Sequence, residues 1–318
     1  MRYVAVTGCL GFIGKHLTRM LLTRGDYVLG IDAETYAADL DALAAFQEFS
    51  EFKYVKADIR TLDRLPDVDA VLHLAAETHV DNSIADPTVF AETNYLGTAN
   101  LLQLLRGKRD YERPTFVHIS TDEVYGSVGP ERRSVDTDPL RPTSPYSASK
   151  AAADLLVQSW GHTYGVGARL VRPSNCYGPG QYPEKLIPKS VRHMALGRPI
   201  VVHSNGSQTR QWLHVEDCAS AILTVLDQGE DGQTYNVAGG TEASVKEVVR
   251  EIVCAYHDGF PPVAWPNYVK FGESRPGMDT RYAVDDAPLR ALGFEVRGSN
   301  LWHDLPGLVQ LERQMMRW

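Results

Sequence analysis

Short apolar runs alternate with amphipathic stretches through the first half of the chain. Runs rich in β-forming residues occupy 4–6, 28–31, 52–55, 70–74, 115–119 and 168–171. Each is about strand length and too short for a buried helix. Apolar positions at helical spacing, such as Ile13, Leu17, Leu21 and Leu22, fill the intervals near 13–24, 40–48, 86–106 and 146–164. Strands and helices alternating in this way predict an α/β fold built on a doubly wound parallel sheet. Beyond 175 the regularity breaks, and Pro173, Gly178, Pro179, Gly180, Pro183 and Pro188 crowd a short interval. That composition suits a smaller mixed α/β domain over the carboxyl ends of the strands, where such sheets bind ligands. The expected division is 1–172 for the larger domain, with 210–236 returning to it, and 173–318 mainly for the smaller one. No internal repeat or low-complexity tract interrupts the pattern.

The first strand runs into Thr7-Gly8-Cys9-Leu10-Gly11-Phe12-Ile13-Gly14 and then into the first helical stretch. Strand, glycine turn and helix in that order are the context a dinucleotide fingerprint needs. Gly8 suits the tight turn, Gly11 the close approach of a pyrophosphate, and Gly14 the packing of helix on strand. The helix N-terminus offers N–H groups and a positive dipole end to phosphates. A glycine triplet alone marks no more than a tight turn. Here the second run also ends in Asp32, whose carboxylate accepts hydrogen bonds from a ribose 2′-OH and repels a 2′-phosphate. The expectation is therefore a Rossmann-type domain that binds NAD rather than NADP.

After the fifth run stand Ser120, Thr121, Asp122 and Glu123, and twenty residues on come Tyr146-Ser147-Ala148-Ser149-Lys150. Tyr146 and Lys150 share a helix face at i and i+4. A tyrosine with an ordinary pKa of about 10 is a poor base at neutral pH, and a neighbouring cation favours its phenolate. Such a pair suits removal of a proton from a sugar hydroxyl. Two adjacent carboxylates are what an enzyme needs if it must also take a carbon-bound proton and expel water. Together they point past simple dehydrogenation to a dehydratase.

Composition changes this picture little. In 318 residues, 43% hydrophobic and 23% charged content is ordinary for a globular enzyme. A formal net charge of −8 argues against nucleic acid or an acidic membrane as partner, yet does not exclude anionic ligands held by local cations. No apolar run approaches the length of a membrane span and no targeting leader is read at the N-terminus. Cys9, Cys176, Cys218 and Cys254 have neither metal-ligand spacing nor disulfide density. No metal is expected, and the expected location is cytoplasmic.

These motifs resemble those of the extended short-chain dehydrogenase/reductases that act on nucleotide sugars, and within them most closely the dTDP-glucose 4,6-dehydratases. The likeness runs nearly end to end. It is carried by residues 7–14, Asp32 with Thr35-Tyr36-Ala37, Asp58-Ile59-Arg60, residues 73–81, Asn94, residues 120–126, Tyr146 with Lys150, and residues 183–188, 210–217 and 275–282. Related epimerases and decarboxylases usually lack the paired Asp122-Glu123. The resemblance implies NAD held by Gly8, Gly11, Phe12, Ile13, Gly14, Asp32, Asp58, Ile59, Leu74, Ala75, Ala76, Asn94, Tyr146 and Lys150. It implies a nucleoside-diphosphate hexose held by His79, Asn175, Glu184, Lys185, His203, Arg210 and Arg275. In the implied reaction NAD oxidises C4 of the hexose while Tyr146, helped by Thr121 and Lys150, takes the O4 proton. Glu123 then removes the C5 proton, Asp122 protonates the departing C6 hydroxyl, and the hydride returns to C6 as a proton is delivered to C5.

Several positions depart from the family pattern. Asn82 stands where an arginine is usual, Cys176 replaces an asparagine, Val201 and His203 replace a proline and a tyrosine around the base, and Met278 replaces a histidine. The catalytic set is intact while the base pocket is altered, so the nucleotide stays open between dTDP and another. Two other readings compete. An NDP-sugar 4-epimerase or decarboxylase would share NAD, Tyr146 and Lys150 but have no use for Asp122 and Glu123, and a non-catalytic NAD-binding sensor would need none of the four. Apolar residues beyond one stripe in 86–106 and 146–164, among them Tyr95, Leu96 and Leu155, match helices that pair across a two-fold axis in the family. A homodimer is expected.

Overall fold

The computed structural model describes residues 1–108, 113–261, 263–298 and 300–315. Along the chain come strands β1 (Tyr3–Thr7), β2 (Tyr27–Asp32), β3 (Phe52–Lys56), β4 (Ala70–His73), β5 (Thr115–Ile119), β6 (Ala168–Pro173), β7 (Asn175–Tyr177), β8 (Ile200–His203), β9 (Thr209–His214), β10 (Thr234–Val237), β11 (Thr241–Ser244) and β12 (Val269–Gly272). Seven of them form one sheet in the order β10-β6-β5-β4-β1-β2-β3, every pairing parallel. The strand order reverses between β1 and β4, which opens a crevice at their carboxyl ends. The seventh strand, β10, adds to the six apolar runs legible in the sequence. A three-stranded mixed sheet, β11-β9-β7, and a parallel pair, β12-β8, make up the smaller part.

The helices are α1 (Phe12–Arg24), α2 (Leu40–Phe46), α3 (Val80–Ala85), α4 (Pro87–Phe90), α5 (Thr98–Arg106), α6 (Pro145–Tyr164), α7 (Leu186–Ala195), α8 (Val215–Gln228), α9 (Val245–Tyr256), α10 (Ala287–Ala291) and α11 (Leu301–Met315). Strand side chains alternate between faces. Val4, Val6, Val28 and Val117 therefore meet Leu17 and Leu21 of α1 and Ile222 and Val225 of α8. Ala5, Leu29, Val71 and Phe116 meet Leu101 and Leu105 of α5 and Leu156 and Val157 of α6 on the other side. Full burial of each such aliphatic side chain contributes about 1.5–3 kcal/mol. A separate core of Tyr177, Ile187, Trp212, Val248, Ile252 and Leu305 joins the three-stranded sheet to α7, α9 and α11. Within 210–236, β9 stays in the three-stranded sheet, whereas α8 packs beside α1 and β10 joins the large sheet.

The helical stretch near 86–106 is not continuous. Pro87–Phe90 and Thr98–Arg106 are α-helical, but Ala91–Gly97 between them is π-helical. Two local demands coincide there. Asn94 turns its side chain inward to the backbone of Glu77, and Gly97 lies so close to Ile59 that a Cβ would come within 2.6 Å of it. Helix α6 is more regular. Ser144 and Ser147 form a reciprocal capping box, Pro145 fills the first turn, and Gly165 ends the helix at φ 65°. A buried polar network links its middle to the sheet. Arg172 Nε donates to Asp154 at 2.8 Å, His118 Nε2 lies 3.3 Å from the same carboxylate, and Arg172 reaches Tyr125, which donates to Asn236 of β10. No helix among the described residues is long and apolar enough to cross a membrane.

Candidate active site

A cavity of about 800 Å³ opens at the carboxyl ends of the large sheet and is roofed by segments of the smaller part. The β1–α1 turn forms one wall. Gly8 has φ +72°, and a Cβ there would stand 2.7 Å from the backbone nitrogen of Ala75, so the loops after β1 and β4 touch. A Cβ on Gly14 would stand 2.0 Å from the Gly8 carbonyl oxygen, so only glycine lets α1 start this close to the turn. Gly11 caps α1 without a side-chain bond, and its first turn carries no acidic residue. The N–H groups and positive dipole end beside the cavity are thus available to an anion.

Asp32, at the end of β2, is buried and accepts from Leu10 N–H at 3.0 Å and Glu34 N–H at 2.9 Å. Burial raises its pKa, and these backbone donors oppose the rise. Its carboxylate faces the cavity, as do Asp58, Ile59, Leu74, Ala75 and Ala76. Uncapped helix start, close-packed glycines and a carboxylate at the second strand end fit the phosphates and ribose of NAD.

At the far end, Thr121 is extended and accepts from Glu123 N–H at 3.3 Å, starting a tight 3-10 turn from Asp122 to Tyr125. Tyr146 and Lys150 face it from α6, and all five side chains line the cavity. Lys150 Nζ donates to the Ile119 carbonyl at 2.7 Å. Burial brings its pKa down to about 8, with Asp154 opposing. Tyr146 is pushed up by burial and by the charge of Glu123, against hydrogen bonds with Thr78 and Thr121. The chain's own charges therefore hold Tyr146 as a phenol. The expectation that Lys150 itself favours the phenolate meets a side chain tied to the Ile119 carbonyl and under the charge of Asp154.

The two carboxyl groups differ in surroundings. Burial, and then Glu123, push Asp122 up to about 8. Burial also raises Glu123, but Arg210, Arg275 and Lys185 hold it back. The two neighbouring groups thus differ in how their surroundings treat the proton, Asp122 being pushed far up and Glu123 held back by cations, an arrangement suited to acid and base work in one step.

Asn94 does not line the cavity. Its Oδ1 accepts from Glu77 N–H at 2.8 Å, and its Nδ2 donates to Glu77 O at 3.0 Å and to Ser149 Oγ at 2.9 Å. It braces the loop after β4 against α6 from behind. Asn175, Glu184 and Lys185 do line the cavity, and Asn175 Oδ1 is buried without a hydrogen-bond partner among the described residues. Lys185 Nζ donates to the Thr78 carbonyl at 2.8 Å. Arg210 lies over the ring of Tyr282 at 4.1 Å and donates to the carbonyls of Thr209 and Asp279. His79, His203 and Arg275 gather around Asp81, at 4.0, 3.9 and 3.0 Å. Asp81 was given no role by sequence reasoning, nor was Tyr36, which donates to Glu184 at 3.1 Å. Both stand inside motifs that carried the family likeness, and only folding shows what they touch. Among the described residues no group of three or more His, Cys, Asp or Glu side chains could hold a metal ion.

Residues 4–238 match the model of the NAD dependent epimerase/dehydratase family. The chain belongs to this family. Among its members, a dTDP-glucose 4,6-dehydratase of Xanthomonas campestris pv. campestris (strain B100) is 43% identical over 312 residues, covering 91% of this chain and 87% of that one. The solved structure of the DesIV dTDP-glucose 4,6-dehydratase of Streptomyces venezuelae, with NAD and TYD bound, superposes with a TM-score of 0.91 at 36% identity, covering 98% of this chain and 97% of that one. A UDP-glucose 4-epimerase of Thermus thermophilus with NAD superposes at 0.85 with 27% identity, covering 99% and 100%. The family fold thus serves both dehydratases and epimerases, and the choice between them lies in the site.

Proposed function

We propose that the protein is an NAD-dependent NDP-glucose 4,6-dehydratase, forming the NDP-4-keto-6-deoxyhexose. The observation that carries this reading is the pairing of buried Asp122 with half-buried Glu123 on the same wall as Thr121, Tyr146 and Lys150. An epimerase has no proton to take from C5 and no water to expel. The dehydratase names of the relatives support the same side. NAD, held between the β1–α1 turn and α6, supplies the oxidation at C4 and the later reduction at C6.

The chain's own residues handle the protons. Tyr146 takes the O4 proton as a phenolate, a form that the positive charge of bound NAD would favour against burial and Glu123, with Thr121 holding the oxygen and Lys150 the surrounding charge. A ketone at C4 acidifies the C5 proton, which Glu123 removes. Asp122, still largely protonated at neutral pH, gives its proton to the departing C6 hydroxyl. Lys185, Arg210 and Arg275 supply positive charge beside Glu123, where a diphosphate would also be drawn. The base is the part of the substrate this chain grips differently, through the exposed Val201 and the half-buried His203.

A homodimer is part of the reading. Ile84, Tyr95, Leu96 and Leu155 are exposed on α3, the π-helical turn and α6, beside a shallow apolar hollow lined by Pro87, Ala91, Ala148 and Ala152. Four free cysteines among the described residues suit a reducing, cytoplasmic setting.

The test is mass spectrometry of dTDP-, UDP-, CDP-, ADP- and GDP-glucose, each incubated with the protein and catalytic NAD. Loss of one water from one of them, with no net reduction of NAD, is the expected result and names the base. Unchanged mass with altered sugar stereochemistry would replace the dehydratase by an epimerase.

A further inference from the structure

One side chain joins three of the elements that surround the cavity. Lys15, in the second turn of α1, donates from Nζ to Asp39 Oδ2 at 2.6 Å and to the Gly180 carbonyl at 2.8 Å. Asp39 is the N-cap of α2, its other oxygen accepting from Ala42 N–H at 3.0 Å. Gly180 lies in the loop after β7, at φ +72°, and a Cβ there would meet Lys15 Nζ at 2.5 Å. Lys15, Asp39 and Gly180 all line the cavity. Next to Lys15, His16 Nε2 lies 3.0 Å from the Pro179 carbonyl, so α1 grips two successive carbonyls of one loop. That loop is held from beneath as well, where Gln181 Nε2 donates to the Cys176 carbonyl at 2.8 Å.

The ion pair is partly sheltered, with side-chain exposures of 13% for Lys15 and 33% for Asp39. Although burial works to raise Asp39, Lys15 and the capped backbone bring its pKa below the ordinary value. A charged donor shared between a carboxylate and a carbonyl is worth more than a free surface pair. It spans parts of the chain 24 and 165 residues away from Lys15.

We propose that Lys15 is a cofactor-retaining latch: it binds the loop after β7 and the start of α2 to the nucleotide-binding helix and so keeps NAD from leaving between turnovers. The inference rests on the reading that the cavity holds NAD. In the proposed reaction the same cofactor is oxidant and then reductant, so its loss in mid-cycle would strand an oxidised sugar. Retention is thus a requirement of the chemistry, and the latch holds the site shut without touching a reacting atom. Exchange becomes rare because two elements must separate first.

The experiment measures cofactor release without turnover. Wild type, Lys15→Met and Asp39→Asn are loaded with radiolabelled NAD, freed of excess, and chased with unlabelled NAD. Asparagine keeps the cap on α2 while removing the ion pair, which guards against a variant that merely fails to fold. Thermal midpoints are recorded alongside. The expected result is release about tenfold faster for Lys15→Met, equivalent to about 1.4 kcal/mol. A smaller acceleration is expected for Asp39→Asn, with midpoints little changed. Release rates within twofold of wild type in both variants would overturn the latch. A wild type that retains no NAD would instead overturn the reading on which the latch rests.

Discussion

At the scale of single residues the chemistry depends on two neighbouring carboxyl groups being unlike. Asp122 must carry a proton to serve as acid, and its pKa of about 8 makes activity fall as pH rises through that value. A kcat/KM profile for dehydration is expected to show this alkaline limb, and Asp122→Asn to lose it together with about 10²–10⁴ in rate. The same shift has a stability consequence of definite sign. A carboxyl group whose folded pKa lies above its unfolded one stabilises the fold below the unfolded pKa, and that contribution is lost as pH rises through the folded pKa. The window here runs from about pH 4 to about pH 8. Asp122→Asn is therefore expected to raise the thermal midpoint relative to wild type at pH 8–9, measured by calorimetry, even as it slows turnover. Glu123→Gln is expected to let C4 oxidation proceed and to stop loss of water, which mass spectrometry separates. If water loss continued at the wild-type rate, Glu123 would not be the base.

At the scale of elements, the π-helical turn Ala91–Gly97 is the part a periodicity argument missed. Its apolar spacing reads as one helix because Phe90, Leu101 and Leu102 keep a helical rhythm on either side. The departure is set by contacts to Glu77 and Ile59, far away in sequence. The site motifs were legible for the opposite reason. Thr121, Asp122 and Glu123 are consecutive, Tyr146 and Lys150 one turn apart, and the glycines follow a strand, so local spacing already carries their geometry. β10 (Thr-Tyr-Asn-Val) is too polar to stand out as an apolar run, and Asp81 and Lys15 resemble any solvated charge until the chain closes around them. Asn94 now has a role that can be measured. Asn94→Ala takes away the partners of the part-buried Glu77 N–H and carbonyl and one of the two hydrogen bonds of Ser149 Oγ, at a cost of about 2–4 kcal/mol. Urea denaturation is expected to show that loss, with kcat falling as α6 loses its brace; an unchanged midpoint would remove Asn94 from the bracing.

At the scale of the whole molecule, α6 presents two working faces. Tyr146 and Lys150 look into the cavity, while Leu155 is 57% exposed on the far side. If α6 and the π-helical turn pair with a second copy, Leu155→Arg places a charge in the middle of that interface. The expected outcome is a monomer by light scattering at concentrations where wild type is a dimer. A wild type that is monomeric throughout would remove the dimer from the reading.

The parallel sheet also gives the molecule a blank end. Because its seven strands all point one way, the ligand-facing loops collect at one pole and the strand starts at the other. Met1, 90% exposed just before β1, belongs to that idle pole, where Arg2 and Arg24 both pair with Asp227. A surface, a bead or a second enzyme fused there would hold the catalyst by its back, leaving the mouth of the cavity turned outward to receive substrate.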